Sequence, residues 1–213
     1  MTNVTIVDYG MGNLFSVRMA LEQCGAKVIM TTDPEEMIQA DRLIFPGVGA
    51  FNMGMSGICK NGIDVAIKDA RNKGTPLMGI CLGMQMLFEY SEEFGHTKGL
   101  GLLKGGVVNI PSISSSGHKC KTPHIGWAQL ELNKPYSERS NTILSNVKSD
   151  DAVYFVHSFM AMPDNNNALL AVVNYGGTTI AAIVQEDNVV GCQFHPEKSG
   201  PVGLEVLKNF LAF

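Results

Sequence analysis

Two stretches of the 213-residue chain hold residue types that carry out acyl transfer. The first is Gly79-Ile80-Cys81-Leu82-Gly83, a cysteine with a glycine two places to either side. This is the spacing of a nucleophile elbow, a sharp turn from strand to helix where side chains two positions from the nucleophile would collide. A helix N-terminus at Cys81 favours the thiolate through its free N–H groups and dipole. The second stretch is Cys192-Gln193-Phe194-His195-Pro196-Glu197. In an extended or turning segment His195 and Glu197 project to the same side, so the carboxylate can hold one ring nitrogen and leave the other facing outward. A thiol with an unperturbed pKa of ~8.5 is only slightly ionised at neutral pH, and this pair supplies the base it needs.

A third stretch is Pro46-Gly47-Val48-Gly49. Attack on a carbonyl develops negative charge on oxygen, which calls for backbone N–H donors. The amides of Gly47 to Gly49 can be turned toward a neighbouring strand end, and the N–H of Leu82 is a second donor. On its own Pro-Gly also reads as a plain turn.

All three stretches fall at the ends of expected strands. The short apolar runs in "VTIVDYG", "DRLIFPG", "TPLMGIC", "GGVVNIP", "AVYFVHS", "LLAVVNY", "TIAAIVQ" and "VVGCQF" read as strands, mostly buried on both faces. Between the early ones lie helices. Leu14, Val17, Leu21 and Cys24 recur at helical spacing before Gly25; Asp33 and Pro34 open a second helix; "GIDVAIKDARNKG" is a third; and "GMQMLFEYSEE" follows Cys81, with Met84, Leu87 and Phe88 on one face. Alternation of strand and helix predicts a parallel sheet with right-handed crossovers, whose strand C-termini gather ligands. The second half predicts antiparallel hairpins added to that sheet, a loop over 112–119 rich in serine, and a final helix in "GPVGLEVLKNFLAF". The expected fold is therefore α/β, a largely parallel central sheet flanked by helices, in one domain over 1–213.

Composition narrows the classes. The chain is 45% hydrophobic with a net charge of −4 and scattered basic residues, which excludes a basic stripe for nucleic acid or an anionic membrane. Neither a signal peptide nor a membrane span is expected, and five cysteines at 24, 59, 81, 120 and 192 predict free thiols in a reducing, cytoplasmic compartment. His118, Cys120 and His124 lack a second paired ligand, so no metal is expected. Cys24 reads as helix core, and Cys192 as pointing into the sheet. Trp127, the one tryptophan, reads either as core or as an interface anchor.

"PGVG", "GICLGMQ" and "HPEKS", in that order, resemble the class I glutamine amidotransferases over nearly the whole chain. "DYGMGN", "PHIGW", "YFVHSF" and "HPEKSG" narrow the resemblance to the glutaminase subunits of imidazole glycerol phosphate synthases. The resemblance implies a Cys81, His195 and Glu197 triad that hydrolyses glutamine without a cofactor. It also implies an oxyanion strand at Gly47 to Gly49 that flips into place, and glutamine recognition by Gln85 and Glu93 on the helix after the elbow and by the backbone at His157 and Ser158. It implies as partner a (β/α)8-barrel cyclase subunit, in a heterodimer met through Asn13, Trp127, Tyr154 and Lys198. Ala128 stands where the family usually has asparagine, and Phe159 where it usually has tyrosine. Both bear on the ammonia acceptor, so a barrel partner that aminates sugars stays open. Two other classes also remain: a cysteine hydrolase acting alone, and a binding module on the same fold.

Overall fold

The computed structural model of the protein describes residues 2–113, 117, 119–133 and 142–213. Its first half runs β1 (Thr2–Val7), α1 (Leu14–Gln23), β2 (Ala26–Thr31), α2 (Pro34–Ile38), β3 (Leu43–Gly47), α3 (Phe51–Lys60), α4 (Ile63–Asn72), β4 (Leu77–Cys81) and α5 (Leu82–Met86). Strands dominate the second half: β5 (Tyr90–Ser91), β6 (Thr97–Lys98), β7 (Gly105–Asn109), β8 (His124–Gln129), β9 (Glu131–Leu132), β10 (Ala152–His157), β11 (Phe159–Pro163), β12 (Leu169–Tyr175), β13 (Thr178–Glu186) and β14 (Val189–Cys192), followed by α6 (Gly200–Leu211).

The large sheet has the order β2-β1-β3-β4-β14-β13-β12-β9. From β2 to β14 neighbouring strands are parallel, and β13, β12 and β9 extend the sheet in antiparallel fashion. Alternate residues of each strand feed two cores. Val4, Ile6, Ile44, Met78 and Ile80 pack with Val17 and Leu21 of α1 and Phe210 of α6. On the opposite face Val7, Leu43, Phe45 and Leu77 pack with Ile58 of α3 and Ile67 of α4. Burial on both faces is why these strands read as unbroken apolar runs.

Not all second-half strands join this sheet. β8 and β10 form an antiparallel pair of their own, and β11-β7-β5-β6 make a small mixed sheet. Several elements escaped the sequence reading: the strands β2, β5, β6, β8, β9 and β11, and the helix α3. β2 lies at the sheet edge with Ile29 and Met30 both 43% exposed, and its apolar run is only the three residues Val28 to Met30. α3 carries Gly54 and Gly57, poor helix formers, but a Cβ on Gly54 would lie 2.7 Å from the Met86 sulfur.

The helix after the elbow is shorter than its apolar pattern suggests. α5 ends at Met86, and the carbonyls of Met86, Leu87, Phe88 and Glu89 accept from the N–H groups of Leu100, Leu102, Gly101 and Gly99 instead of from a further helical turn. Glu93 consequently lies beyond β5 and not on the helix with Gln85. Cys24 is the C-cap of α1, half-buried, with its sulfur donating to the Leu204 carbonyl at 3.5 Å. Of the serine-rich loop, 114–116 and 118 lie outside the described residues.

The tightest packing is at the elbow. A Cβ on Gly83 would sit 1.7 Å from the Phe45 carbonyl oxygen, which is backbone and cannot swing away. Gly83→Ala should therefore destabilise the protein by about 3 kcal/mol, at the upper end of the usual overpacking range. For a chain of this size that is a fall in melting midpoint of about 6–12 °C, measurable by calorimetry.

Candidate active site

Cys81 is the last residue of β4 and the N-cap of α5, with φ 54° and ψ −110°. A non-glycine residue seldom adopts this conformation, and holding it costs on the order of 1–3 kcal/mol. The surroundings impose it. A Cβ on Gly79 would meet Met84 N at 2.7 Å, so both flanking glycines are required for the turn to close. β3 lies alongside with Gly47 opposite Cys81, which brings Val48 and Gly49 to the same end of the sheet.

β14 pairs with β4 on its other side, so the chain leaving β14 arrives next to the elbow. His195 there is 2% exposed, and its backbone N–H donates to the Tyr154 carbonyl at 3.0 Å. A 3-10 turn over Pro196–Lys198 carries Glu197 back toward the ring. The Glu197 carboxylate meets His195 Nδ1 at 2.8 Å, and both side chains are almost fully buried. His195 Nε2 is buried and has no hydrogen-bond partner among the described residues.

Cys81 and His195 line one cavity of about 390 Å³, together with Val48, Gly49, Leu82, Gln85, Glu93, His157 and Ser158. Of the fifteen residues singled out in the sequence, these nine converge. Gly47 lies beside the cavity in register with Cys81, and Glu197 stands behind His195. The remaining four lie elsewhere. Asn13 caps α1, its side chain accepting from Ser16 N at 3.3 Å; Lys198 is exposed; and Trp127 on β8 is 59% exposed, edge-on to Tyr154 on β10 at 6.0 Å between ring centres. The core reading of Trp127 is therefore wrong, because among the described residues its strand pairs only with β10 and leaves that face open.

Buried polar contacts shape the walls. Gln85 Nε2 donates to the Phe159 carbonyl and to Gln193 Oε1, both at 3.0 Å. Gln193 in turn points its own Nε2 at the Cys81 sulfur, 3.9 Å away. The Glu93 carboxylate accepts from Phe51 N at 2.6 Å, at the start of α3. His157 Nδ1 donates to the Phe159 carbonyl at 2.8 Å, so its Nε2 is the acceptor from His124 Nδ1 at 3.0 Å. His124 is stacked between Phe155 and Tyr175. Cys120 donates to the Gly176 carbonyl, Cys192 is buried in the core, and His118 lies outside the described residues. No group of three or more potential metal ligands occurs among the described residues.

The two imidazoles are driven apart in basicity. Burial works against the charged form of His195, but the Cys81 sulfur and the Glu197 carboxylate outweigh it, and its pKa is pushed up to about 10. His157 goes the other way, to about 4, chiefly through burial, which its bond to the Phe159 carbonyl only partly offsets. A thiol at a helix start facing an imidazolium with its own carboxylate can attack an acyl carbon and hand a proton to the leaving group.

The glutamine amidotransferase class-I family matches residues 5–212. The chain belongs to the class I glutamine amidotransferases. This amidotransferase is 48% identical to the imidazole glycerol phosphate synthase subunit HisH 1 of Legionella pneumophila (strain Lens), over 99% of each chain. It is 47% identical to subunit HisH of Halalkalibacterium halodurans (strain ATCC BAA-125 / DSM 18197 / FERM 7344 / JCM 9153 / C-125), over 96% of this chain and 93% of that one. Among solved structures, a glutamine amidotransferase superposes with TM-score 0.72 at 17% identity over 98% of this chain and 99% of that one. PurLQS from Thermotoga maritima superposes with TM-score 0.68 at 23% identity over 100% and 99%. These likenesses show the fold.

Sequence reasoning gave Gln193 and Tyr9 no role at the site and weighed His124 only as a metal ligand. Gln193 was accessible to it, since it alternates with His195 at the end of an apolar strand and a glutamine is out of place in a dry core. His124 and Tyr9 gave no such signal, because only the fold brings them to the site.

The amidotransferase should lose stability in mild acid. Unfolded His157 takes up a proton near pH 6.5, and the folded chain resists it until about pH 4, so folding is opposed increasingly as the pH falls through that window. His124, also lowered by burial, adds in the same direction. The His157 share is about 2 kcal/mol between pH 7 and 5. Urea midpoints at the two pH values should show it, with a smaller difference in His157→Gln.

Proposed function

We propose that the chain is the glutaminase subunit of an imidazole glycerol phosphate synthase of histidine biosynthesis, working in the cytoplasm as a single amidotransferase domain. One observation carries the chemistry: a strained cysteine shares a cavity with a histidine whose other nitrogen is held at 2.8 Å by a buried glutamate. The likeness to HisH subunits over nearly the full chain supports the pathway.

In this reading the Cys81 sulfur attacks the side-chain amide carbon of glutamine, and the carbonyl oxygen takes the negative charge. The N–H groups of Leu82 and of the Gly47-Val48-Gly49 strand stabilise it. Collapse breaks the C–N bond, and the His195 imidazolium supplies the proton with which ammonia leaves. Water then attacks the γ-glutamyl thioester, giving its proton to His195, and the C–S bond breaks to release glutamate and regenerate the thiolate. Glu197 holds the imidazolium throughout. Glu93 meets the substrate ammonium, the backbone at His157 and Ser158 meets its carboxylate, and Gln85 shapes the wall between them.

Ammonia passes to a (β/α)8-barrel cyclase subunit docked on the face that carries Asn13, Trp127, Tyr154 and Lys198. The exposed Trp127 on β8, edge-on to the half-buried Tyr154 on β10, supports this placement. Phe159 lines the glutamine cavity and Ala128 adjoins Trp127, so the two departures from the family pattern fall on substrate and partner sides respectively.

The deciding assay is glutamate release from glutamine by the chain alone and with a histidine-pathway cyclase and its ribulosyl substrate. Strong stimulation is expected, and none at all in Cys81→Ala. Stimulation only by a sugar-aminating barrel protein would overturn the pathway and leave the hydrolysis standing. Glu197→Gln should lower kcat by roughly a hundredfold or more. It should also move the alkaline limb of the pH profile to lower pH, because one of the two groups holding the His195 proton is gone.

A further inference from the structure

Tyr9, just after β1, is 8% exposed, with its ring 5.3 Å from that of Phe45 and its edge against α3 at Gly57. Its hydroxyl is buried and has no hydrogen-bond partner among the described residues. Phenylalanine would fill the same space without stripping a hydroxyl of its water, so the oxygen needs a reason to be there.

The hydroxyl faces Gly47. A Cβ on that glycine would lie 2.3 Å from Tyr9 Oη and 3.1 Å from Gly83 N. Gly47 pairs with Cys81, and the next two residues, Val48 and Gly49, line the cavity while Tyr9 does not. A peptide group points its N–H and its C=O in opposite directions. When the Gly47–Val48 peptide aims its N–H into the cavity, its carbonyl is turned away from the cavity, into a dry region where it needs a donor. A phenol is such a donor. Burial together with the nearby Cys81 sulfur raises the Tyr9 pKa, so the hydroxyl keeps its proton.

We propose that Tyr9 is a positioning residue for the oxyanion hole: its hydroxyl donates to the Gly47 carbonyl when the Val48 N–H is turned toward the reacting carbonyl. The unpaired hydroxyl of the present arrangement is then the resting half of a two-position device, and pairing it favours the arrangement with the donor in place. This rests on the reading of Gly47 to Gly49 as oxyanion donors.

Tyr9→Phe tests it in the full chain with its cyclase partner bound. We expect kcat for glutamine hydrolysis to fall about tenfold, the equivalent of one hydrogen bond at ~1.4 kcal/mol. The KM for glutamine, the alkylation rate of Cys81 by iodoacetamide and the melting midpoint should stay at or above wild-type values, since the variant removes an unpaired polar atom from the resting fold. An unchanged kcat overturns the proposal. So does a parallel fall in kcat, thermal stability and Cys81 labelling, which is the mark of a merely structural tyrosine. Cys81→Ala separates the layers: residual glutaminase activity in that variant removes the Cys81 thioester chemistry that the oxyanion donors are proposed to serve, whereas a dead Cys81→Ala beside a fully active Tyr9→Phe removes only the role of Tyr9.

Discussion

The contact between Gly83 and the Phe45 carbonyl is the constraint on which the site is built. With no side chain at that point, the first turn of α5 lies directly on the end of β3, and the chain passes from β4 into the helix through a residue of positive φ. Cys81 occupies that residue. The strain is balanced by a tightly filled interior on both faces of the sheet, so the conformation of the cysteine is fixed by packing that extends far from it. Reactivity and stability are thus opposed at one position and reconciled by the core.

Around the elbow, polar groups are sorted by what they are bonded to. His195 is paired with a carboxylate and retains its proton, whereas His157, paired with a neutral imidazole and a carbonyl, gives its proton up. The two rings therefore hold different charges in a single cavity at neutral pH. Gln85 and Gln193 form a neutral bridge between the wall and the sulfur, adding hydrogen-bond capacity without another charge to compete with the imidazolium.

Much of this was legible before any coordinates. The glycine spacing around Cys81 announced a steric problem that only a turn of this kind poses, and the two-residue step from His195 to Glu197 allowed a contact that the 3-10 turn indeed makes. Of the parallel strands, β1, β3, β4 and β14 were readable because they are apolar on both faces, and the edge strand β2 was not. What stayed hidden depended on tertiary partners. α3 was masked by its two glycines, of which Gly54 makes room for the Met86 sulfur, and the end of α5 was set by carbonyls committed to a segment ten or more residues away. The exposure of Trp127 followed from β8 pairing with a single strand, which no local pattern encodes.

The ladder between β4 and β14 pairs Ile80 with Cys192, one residue before Cys81 and three before His195. The distance between sulfur and imidazole is thus set by two adjacent strands, although more than a hundred residues of chain separate them. Apart from Val48 and Gly49, the remaining cavity walls come from that intervening chain, from Gln85 and Glu93 and from the segment around Val156–Phe159. The alignment of Cys81 with His195 and most of the cavity wall are consequently housed in different parts of the chain. Insertions or exchanges between β5 and β11 can reshape what the fold accepts while leaving the reacting pair in alignment, a division that gives one scaffold room to diversify without rebuilding its chemistry.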